Sequence, residues 1–193
     1  SDAAIYPGAI EIQNEDDDNC DDKVDEGFRS FGDLYLTELA TRGLGAEPDG
    51  EWFELYNPST GDIYLDGASV TSTCSTSAPG FVVGVDSVVV PAGGYAVFCH
   101  DDDELSTLCD YVYGENINGS SQAGQTYSEA FCLDEGGDTL SISLDGMLID
   151  DVAFQSGTNG WRTHQVNVSL ILHSNYYGAN SNDTPTNWCY PGS

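Results

Sequence analysis

The chain has 193 residues, 39% of them hydrophobic, with three Trp, eleven Tyr and seven Phe, enough to bury one core and to exclude disorder throughout. Thirty-three acids against four bases give a formal net charge of −29, which repels nucleic acid and anionic membranes and attracts cations. Abundant Gly and Ser with frequent Val, Thr and Tyr favour strands and turns over helices.

In chain order, residues 1–30 read as an N-terminal extension and 31–193 as one domain. The opening SDAAIYPG carries no leader pattern, so any leader would already be gone. The extension is acidic and holds one short extended piece, AIEIQ. Short apolar runs broken by Gly, Asp, Asn and Pro then predict strands over DLYLTEL (33–39), EWFELYN (51–57), DIYLDGASVTS (62–72) and GFVVGVDSVVV (80–90). GYAVFC (94–99), DTLSISL (138–144), MLIDDVAF (147–154) and VSLIL (168–172) complete the set. HDDDELSTLC (100–109) has room for one helical turn. In SISLDGMLID, alternating Leu140, Ile142 and Leu144 flank Asp145-Gly146, a two-residue hairpin turn of type I′. VVVPAGGYAVF reads as a second hairpin, turning at Pro91-Ala92-Gly93-Gly94. This rhythm of short strands and turns predicts an all-β, immunoglobulin-like antiparallel sandwich. No apolar run is long enough to span a bilayer. The chain contains no P-loop, no G-x-S-x-G and no H-E-x-x-H.

Six cysteines, Cys20, Cys74, Cys99, Cys109, Cys132 and Cys189, include no C-x-x-C pair. Their usage suits disulfides in an oxidising, extracellular compartment, and six cysteines can pair in fifteen ways. The expected bridges are Cys74–Cys99 and Cys109–Cys132, each between neighbouring strands, with Cys20–Cys189 clipping the extension to the C-terminal end. Sequons at Asn118, Asn167 and Asn182 are glycosylation candidates, although a chain this rich in Ser, Thr and Asn produces such triplets by chance.

Five pieces, in order over residues 33 to about 190, resemble the secreted bacterial form of the lamin tail domain family. They are GDLYLTELA, GEWFELYNPSTGDIYLDGASV, VVVPAGGYAVF, GGDTLSISLDGMLIDDVAF and SLIL…NDTPTNWCYPG. The resemblance implies an immunoglobulin-like sandwich without catalytic activity. The insert near residues 100–130 departs from the family pattern. The segment YPGAIEIQNEDDDNCDDKVDEGF is similar to the acidic metal-binding repeat of MopE-type surface proteins. It departs at Gln13, where the repeat has Cys, and at Glu15 and Asp22, where it has Gly. The missing cysteine removes the repeat's local bridge and leaves Cys20 to bond elsewhere, hence its pairing with Cys189.

DDDNCDDKVDEG, residues 16–27, packs seven acids and one lysine into twelve positions. Calcium takes six to eight oxygens on a flexible scaffold, and EF-hand loops present them from alternate residues. Asp17, Asn19 and Asp21 have the one-three-five spacing. Lys23 would offer its carbonyl at seven and Asp25 its carboxylate at nine, with Glu26 as an extra ligand. Position six needs left-handed φ, which falls to Asp22. Phe28 replaces the glutamate expected at twelve, so the loop is truncated. The competing explanation is a solvated acidic linker, or a surface suited to high salt.

Other residues are weaker candidates. Asp101, Asp102, Asp103 and Glu104 form a second acidic run, better explained as a solvated loop. Glu38 and Glu54 could be a carboxylate pair at hydrolase distance, though the family resemblance implies a structural or cation-binding role. Glu51 stands beside the same strands. His100, His164 and His173 read as three separate residues rather than a zinc site. Trp52 and Trp161 are assigned to the core, and Trp188 to one end of the sandwich. The function expected is a secreted, non-enzymatic structural or adhesion module at the cell surface or in an extracellular matrix or filament. Its cofactor would be calcium and its partners proteins, identical subunits included, joined by strand addition through the N-terminal segment. The alternative is a carbohydrate- or protein-binding accessory module of a larger secreted enzyme, using Tyr111, Tyr113, Tyr176 and Tyr177.

Overall fold

The computed structural model describes residues 5–12, 16–22, 28–42, 50–74, 80–85, 88–100, 108–114 and 131–192. Among them the strands are β1 (Tyr35–Ala40), β2 (Trp52–Tyr56), β3 (Ile63–Tyr64), β4 (Ser69–Ser72), β5 (Gly80–Val82) and β6 (Val89–Val90). They continue with β7 (Tyr95–Cys99), β8 (Tyr111–Val112), β9 (Gly137–Leu144), β10 (Met147–Gln155), β11 (Leu170–Leu172) and β12 (Trp188–Cys189). A six-stranded sheet, β12-β11-β1-β2-β7-β8, packs over a four-stranded sheet, β10-β9-β4-β5, while β3 and β6 pair separately. The predicted all-β sandwich is therefore what forms. Its pairs are antiparallel except β7–β8, which run parallel.

Alternation decides which side chains enter the core. In β9, Leu140, Ile142 and Leu144 are buried between half-exposed neighbours, and in β2 Phe53 and Leu55 point inward between Trp52, Glu54 and Tyr56. Phe81 of β5 is the aromatic centre, with its ring centroid 4.7 Å from Tyr113, 5.1 Å from Phe131, 5.9 Å from Tyr111 and 6.4 Å from Phe98. Asp138, at the edge of this core, accepts from the hydroxyls of Ser72 and Thr73 and from the backbone of Thr73, Asp134 and Thr139. It thereby fastens β4 to β9.

Two β-bulges meet between the sheets. One lies in β1 between Leu36 and Glu38, the other in β10 between Leu148 and Asp150. A bulge inserts a residue and breaks the two-residue alternation. This is why consecutive Ile149 and Asp150 are both buried. Asp150 Oδ2 accepts from Leu36 N–H at 2.8 Å and from Asn182 Nδ2 at 2.7 Å, and Asn182 Nδ2 also donates to Leu36 O at 3.3 Å. Burial pushes the Asp150 carboxyl up to about 7; the two hydrogen bonds oppose the rise, and the charges of Asp183 and Asp151 add to it.

Several expectations change in detail. Asp145-Gly146 turns as predicted, with φ of 54° and 77°. At Pro91–Gly94 the turn closes, Gly94 N–H donating to Pro91 O at 2.8 Å, but the flanking strands are not a hairpin: β6 pairs with β3, and β7 with β2. The predicted strand 62–72 is divided into β3 and β4 by a turn at Asp66-Gly67, and 80–90 is divided into β5 and β6. A continuous apolar run does not distinguish one strand from two that change sheets. The expected helical turn at 100–109 lies largely outside the described residues.

The disulfide pairing differs from the expected one. The bridges are Cys74–Cys132, with Cα atoms 5.9 Å apart, and Cys99–Cys109, at 5.8 Å; Cys20 and Cys189 are unpaired thiols. Topology supplies the reason. Cys74 follows β4 and Cys132 precedes β9, and β4 and β9 are hydrogen-bonded neighbours. Cys99 ends β7 and Cys109 precedes β8, its parallel neighbour, so that bridge closes the crossover. Cys20 lies in the acidic loop, whereas Cys189 sits on edge strand β12, its thiol near Ile171 O.

Candidate functional sites: an acidic loop and a carboxylate–tyrosine face

The acidic loop is organised by Asp17. Its Oδ1 accepts from Cys20 N–H at 2.7 Å and from Asp21 N–H at 3.3 Å, and its Oδ2 accepts from Asp22 N–H at 2.9 Å. A carboxylate gathering the backbone of the next turn forces that turn to be tight, and Cys20 and Asp22 take φ of 62° and 69°. Asp22 is the position where left-handed φ was expected. The loop is seated on the arm that precedes it. Tyr6 and Gly8 N–H donate to the carbonyls of Asp18 and Asn19 at 3.0 Å each, and Asn19 N–H donates to Glu11 Oε1 at 2.7 Å. Asp18 is fully buried, and its carboxylate accepts from Ile12 N–H. Tyr64 Oη of β3 donates to Asp22 O at 3.1 Å, tying the loop to the sandwich. Glu11 and Asp18 were not recognised as candidates in the sequence. Only the fold brings Glu11 back onto the loop, where its Oε2 is buried and has no hydrogen-bond partner among the described residues. Of the expected ligands, Asp17, Asn19 and Asp21 are described, whereas Lys23, Asp25 and Glu26 lie outside the described residues. Among the described residues, no three His, Cys, Asp or Glu side chains gather as a metal-binding group.

The second site is the outer face of the six-stranded sheet. Alternation in β2 turns Trp52, Glu54 and Tyr56 outward, so Trp52 is half-buried on this face rather than in the core. Glu54 stands directly opposite Glu38 of β1, between Val97 of β7 and Ile171 of β11. Thr37 Oγ1 donates to Glu54 Oε1 at 2.7 Å, and Ser169 Oγ donates to Glu38 Oε1. No described residue donates to Oε2 of either glutamate. Burial raises the Glu38 carboxyl above the ordinary range; the Ser169 hydroxyl draws it back and the Glu54 charge adds to the rise. Burial likewise raises Glu54, against the Thr37 hydroxyl and with the Asp110 charge. One pleat along the strands, Tyr35, Tyr56 and Tyr95 form a row in register, with the Tyr177 ring against Tyr35 and Tyr56. Tyr56 lies 5.5 Å from Tyr35, 4.8 Å from Tyr95 and 5.2 Å from Tyr177, ring centre to ring centre. Burial raises the Tyr177 phenol, and its contact with the Tyr95 hydroxyl adds to this, so the ring stays neutral. Arginines with defined partners are engaged elsewhere, Arg42 with Glu135 and Arg162 with Trp188 O and the Tyr190 ring.

The remaining candidates separate. Tyr111 and Tyr113 are buried, so neither can stack on a ligand; Tyr176 is exposed and Tyr177 belongs to the tyrosine row. Glu51 is fully buried and accepts from Leu133 N–H at 2.7 Å. His100 and His164 are buried, and His173 caps a 3-10 turn. Trp161 and Trp188 are both core residues, with ring centroids 5.8 Å apart. Asn182 is a sequon residue whose amide nitrogen is buried and committed to Asp150 and Leu36, so it is not available for a glycan. Asn167 is exposed, and Asn118 lies outside the described residues, as do Asp101–Glu104. No family model matches the chain, and a search of curated proteins finds no relative.

Proposed function

We propose that this chain is a calcium-stabilised, non-enzymatic module of lamin-tail type that serves a structural or adhesive role outside the cell. Two disulfides favour an oxidising compartment. No helix among the described residues is long and apolar enough to cross a membrane. The observation that carries the calcium reading is the Asp17 turn. Asp17 caps three successive N–H groups, Asp22 adopts left-handed φ at the sixth position, and Glu11 returns a buried oxygen to the same loop. This arrangement crowds carboxylates that repel one another, and a hard dication relieves the repulsion directly. Asp17, Asn19, Asp21 and Glu11, joined by Lys23 O, Asp25 and Glu26, would supply its oxygens. Ile10, 85% accessible, and Ile12 alternate with Glu11 on the arm and stay exposed while the arm is seated on the loop, an apolar edge for a neighbouring subunit.

The test is thermal unfolding at matched ionic strength with calcium, magnesium or chelator. Calcium at about a hundred times its dissociation constant adds roughly 2.7 kcal/mol if it binds only the folded chain. Asp21→Ala is expected to abolish that gain, and magnesium not to reproduce it. Stabilisation by sodium chloride alone, with nothing added by calcium, would refute the calcium reading.

A further inference from the structure

We infer that the outer face of the six-stranded sheet docks a basic side chain, lysine or arginine, of a partner polypeptide, with Glu38 and Glu54 taking the charge and Tyr56 and Tyr95 the stem. The proposal stands apart from the acidic loop and survives if that loop binds no calcium.

The argument begins with an unfavourable pairing. Residues directly opposite on antiparallel strands have Cβ atoms about 4.5–5.5 Å apart, and like charges so placed destabilise the sheet. Glu38 and Glu54 are such a pair. The fold does not offset them with a defined basic partner; it aims them. Ser169 and Thr37 each hold one carboxylate oxygen, and the second oxygen of each receives no donor among the described residues. Two oriented acceptors on one face match an ammonium or guanidinium group, which donates to both.

The surroundings select the rest of the ligand. Val97 and Ile171 flank the pair and are half-buried, offering apolar surface on either side. Tyr56 is two residues beyond Glu54 on the same side of β2, and Tyr95 lies opposite Tyr56 with 43% of its surface exposed. Aromatic faces attract cations, and methylene stems pack on them. Calcium gains nothing from that apolar surface and needs more oxygens than two glutamates present. An anionic partner is repelled by the pair and by the net charge of −29. The same charge draws a basic partner toward the molecule before contact.

The experiment is a titration of the full chain, followed by NMR, with a short peptide of alternating Gly and Lys, its Arg counterpart and its Gln counterpart. Calcium chloride alone is a separate arm. The double variant Glu38→Gln, Glu54→Gln is compared with Asp134→Asn, Asp145→Asn, which removes equal charge from exposed turns. Both are confirmed to melt as the wild type does. The basic peptides are expected to shift resonances of Glu38, Glu54, Tyr56 and Tyr95, and the glutamine peptide to leave them unmoved. The glutamate variant should weaken binding at least about tenfold and the control variant less than about twofold. Equal loss in both variants would reduce the effect to net charge and overturn the proposal. So would absence of binding by either basic peptide, or displacement of the peptide by calcium with the same resonance shifts.

Discussion

Asp150 makes the fold sensitive to pH in an unusual direction. It is fully buried at the junction of the two bulges, and its carboxyl is pushed up to about 7 from an ordinary 3.8. The unfolded chain releases this proton near pH 4, whereas the folded chain keeps it until about 7. Between those values the unfolded state binds fewer protons, so stability falls as pH rises, and it levels off above about 7. The whole span corresponds to roughly 4 kcal/mol, of which about 2–3 kcal/mol lies between pH 5 and 8. Urea unfolding followed by tryptophan fluorescence measures it directly, since Trp161 and Trp188 are buried in the core. Asp150→Asn keeps an oxygen for Leu36 N–H and has no proton to release. The variant is expected to lose the fall in stability between pH 5 and 8 that Asp150 gives the wild type, and the difference between the two profiles isolates this residue from the other acids. Identical pH profiles for the two proteins would refute the reasoning, as would a variant that loses stability more steeply than the wild type over that range.

Other perturbations act through different parts of the structure. Burial holds His164 below its ordinary 6.5, so its contribution is present above that value and lost as pH falls through the folded value; His164→Gln should flatten the acid limb of the stability profile. Phe81→Ala removes the ring that touches four others in the core and should cost about 3–5 kcal/mol in urea unfolding, and a loss under about 1 kcal/mol would contradict its central position. The Cys74–Cys132 bridge spans 58 residues and Cys99–Cys109 spans 10. Chain entropy then assigns about 4 kcal/mol to the first and about 3 kcal/mol to the second. Paired serine variants measured by urea unfolding should follow that order, and a reversed order would show that native contacts outweigh loop closure.

Local pattern alone determined a good part of this protein. The alternation of Leu140, Ile142 and Leu144 set the inward face of β9, and Asp145-Gly146 set its turn, because both depend only on neighbours in the chain. The same holds for the left-handed turn at Asp22, which Asp17 imposes from five residues away. Composition alone set the net charge of −29. What the tertiary structure decided are relations between distant residues. Cysteine spacing cannot distinguish fifteen pairings, and the bridges followed from which strands became neighbours. Tyr111 and Tyr113 looked like exposed aromatics until the parallel strand β8 carried them inward. Glu38 and Glu54 read as a carboxylate pair in the sequence, but their direct opposition across β1 and β2 depends on a bulge that shifts the register by one residue. Nothing in the sequence marks Asp150, and Asn182 reads as a glycan acceptor; two bulges, Leu36 and the C-terminal segment bring them to the same buried point. Strand pairing is a long-range choice made by the whole core, and the chemistry of both faces follows from it.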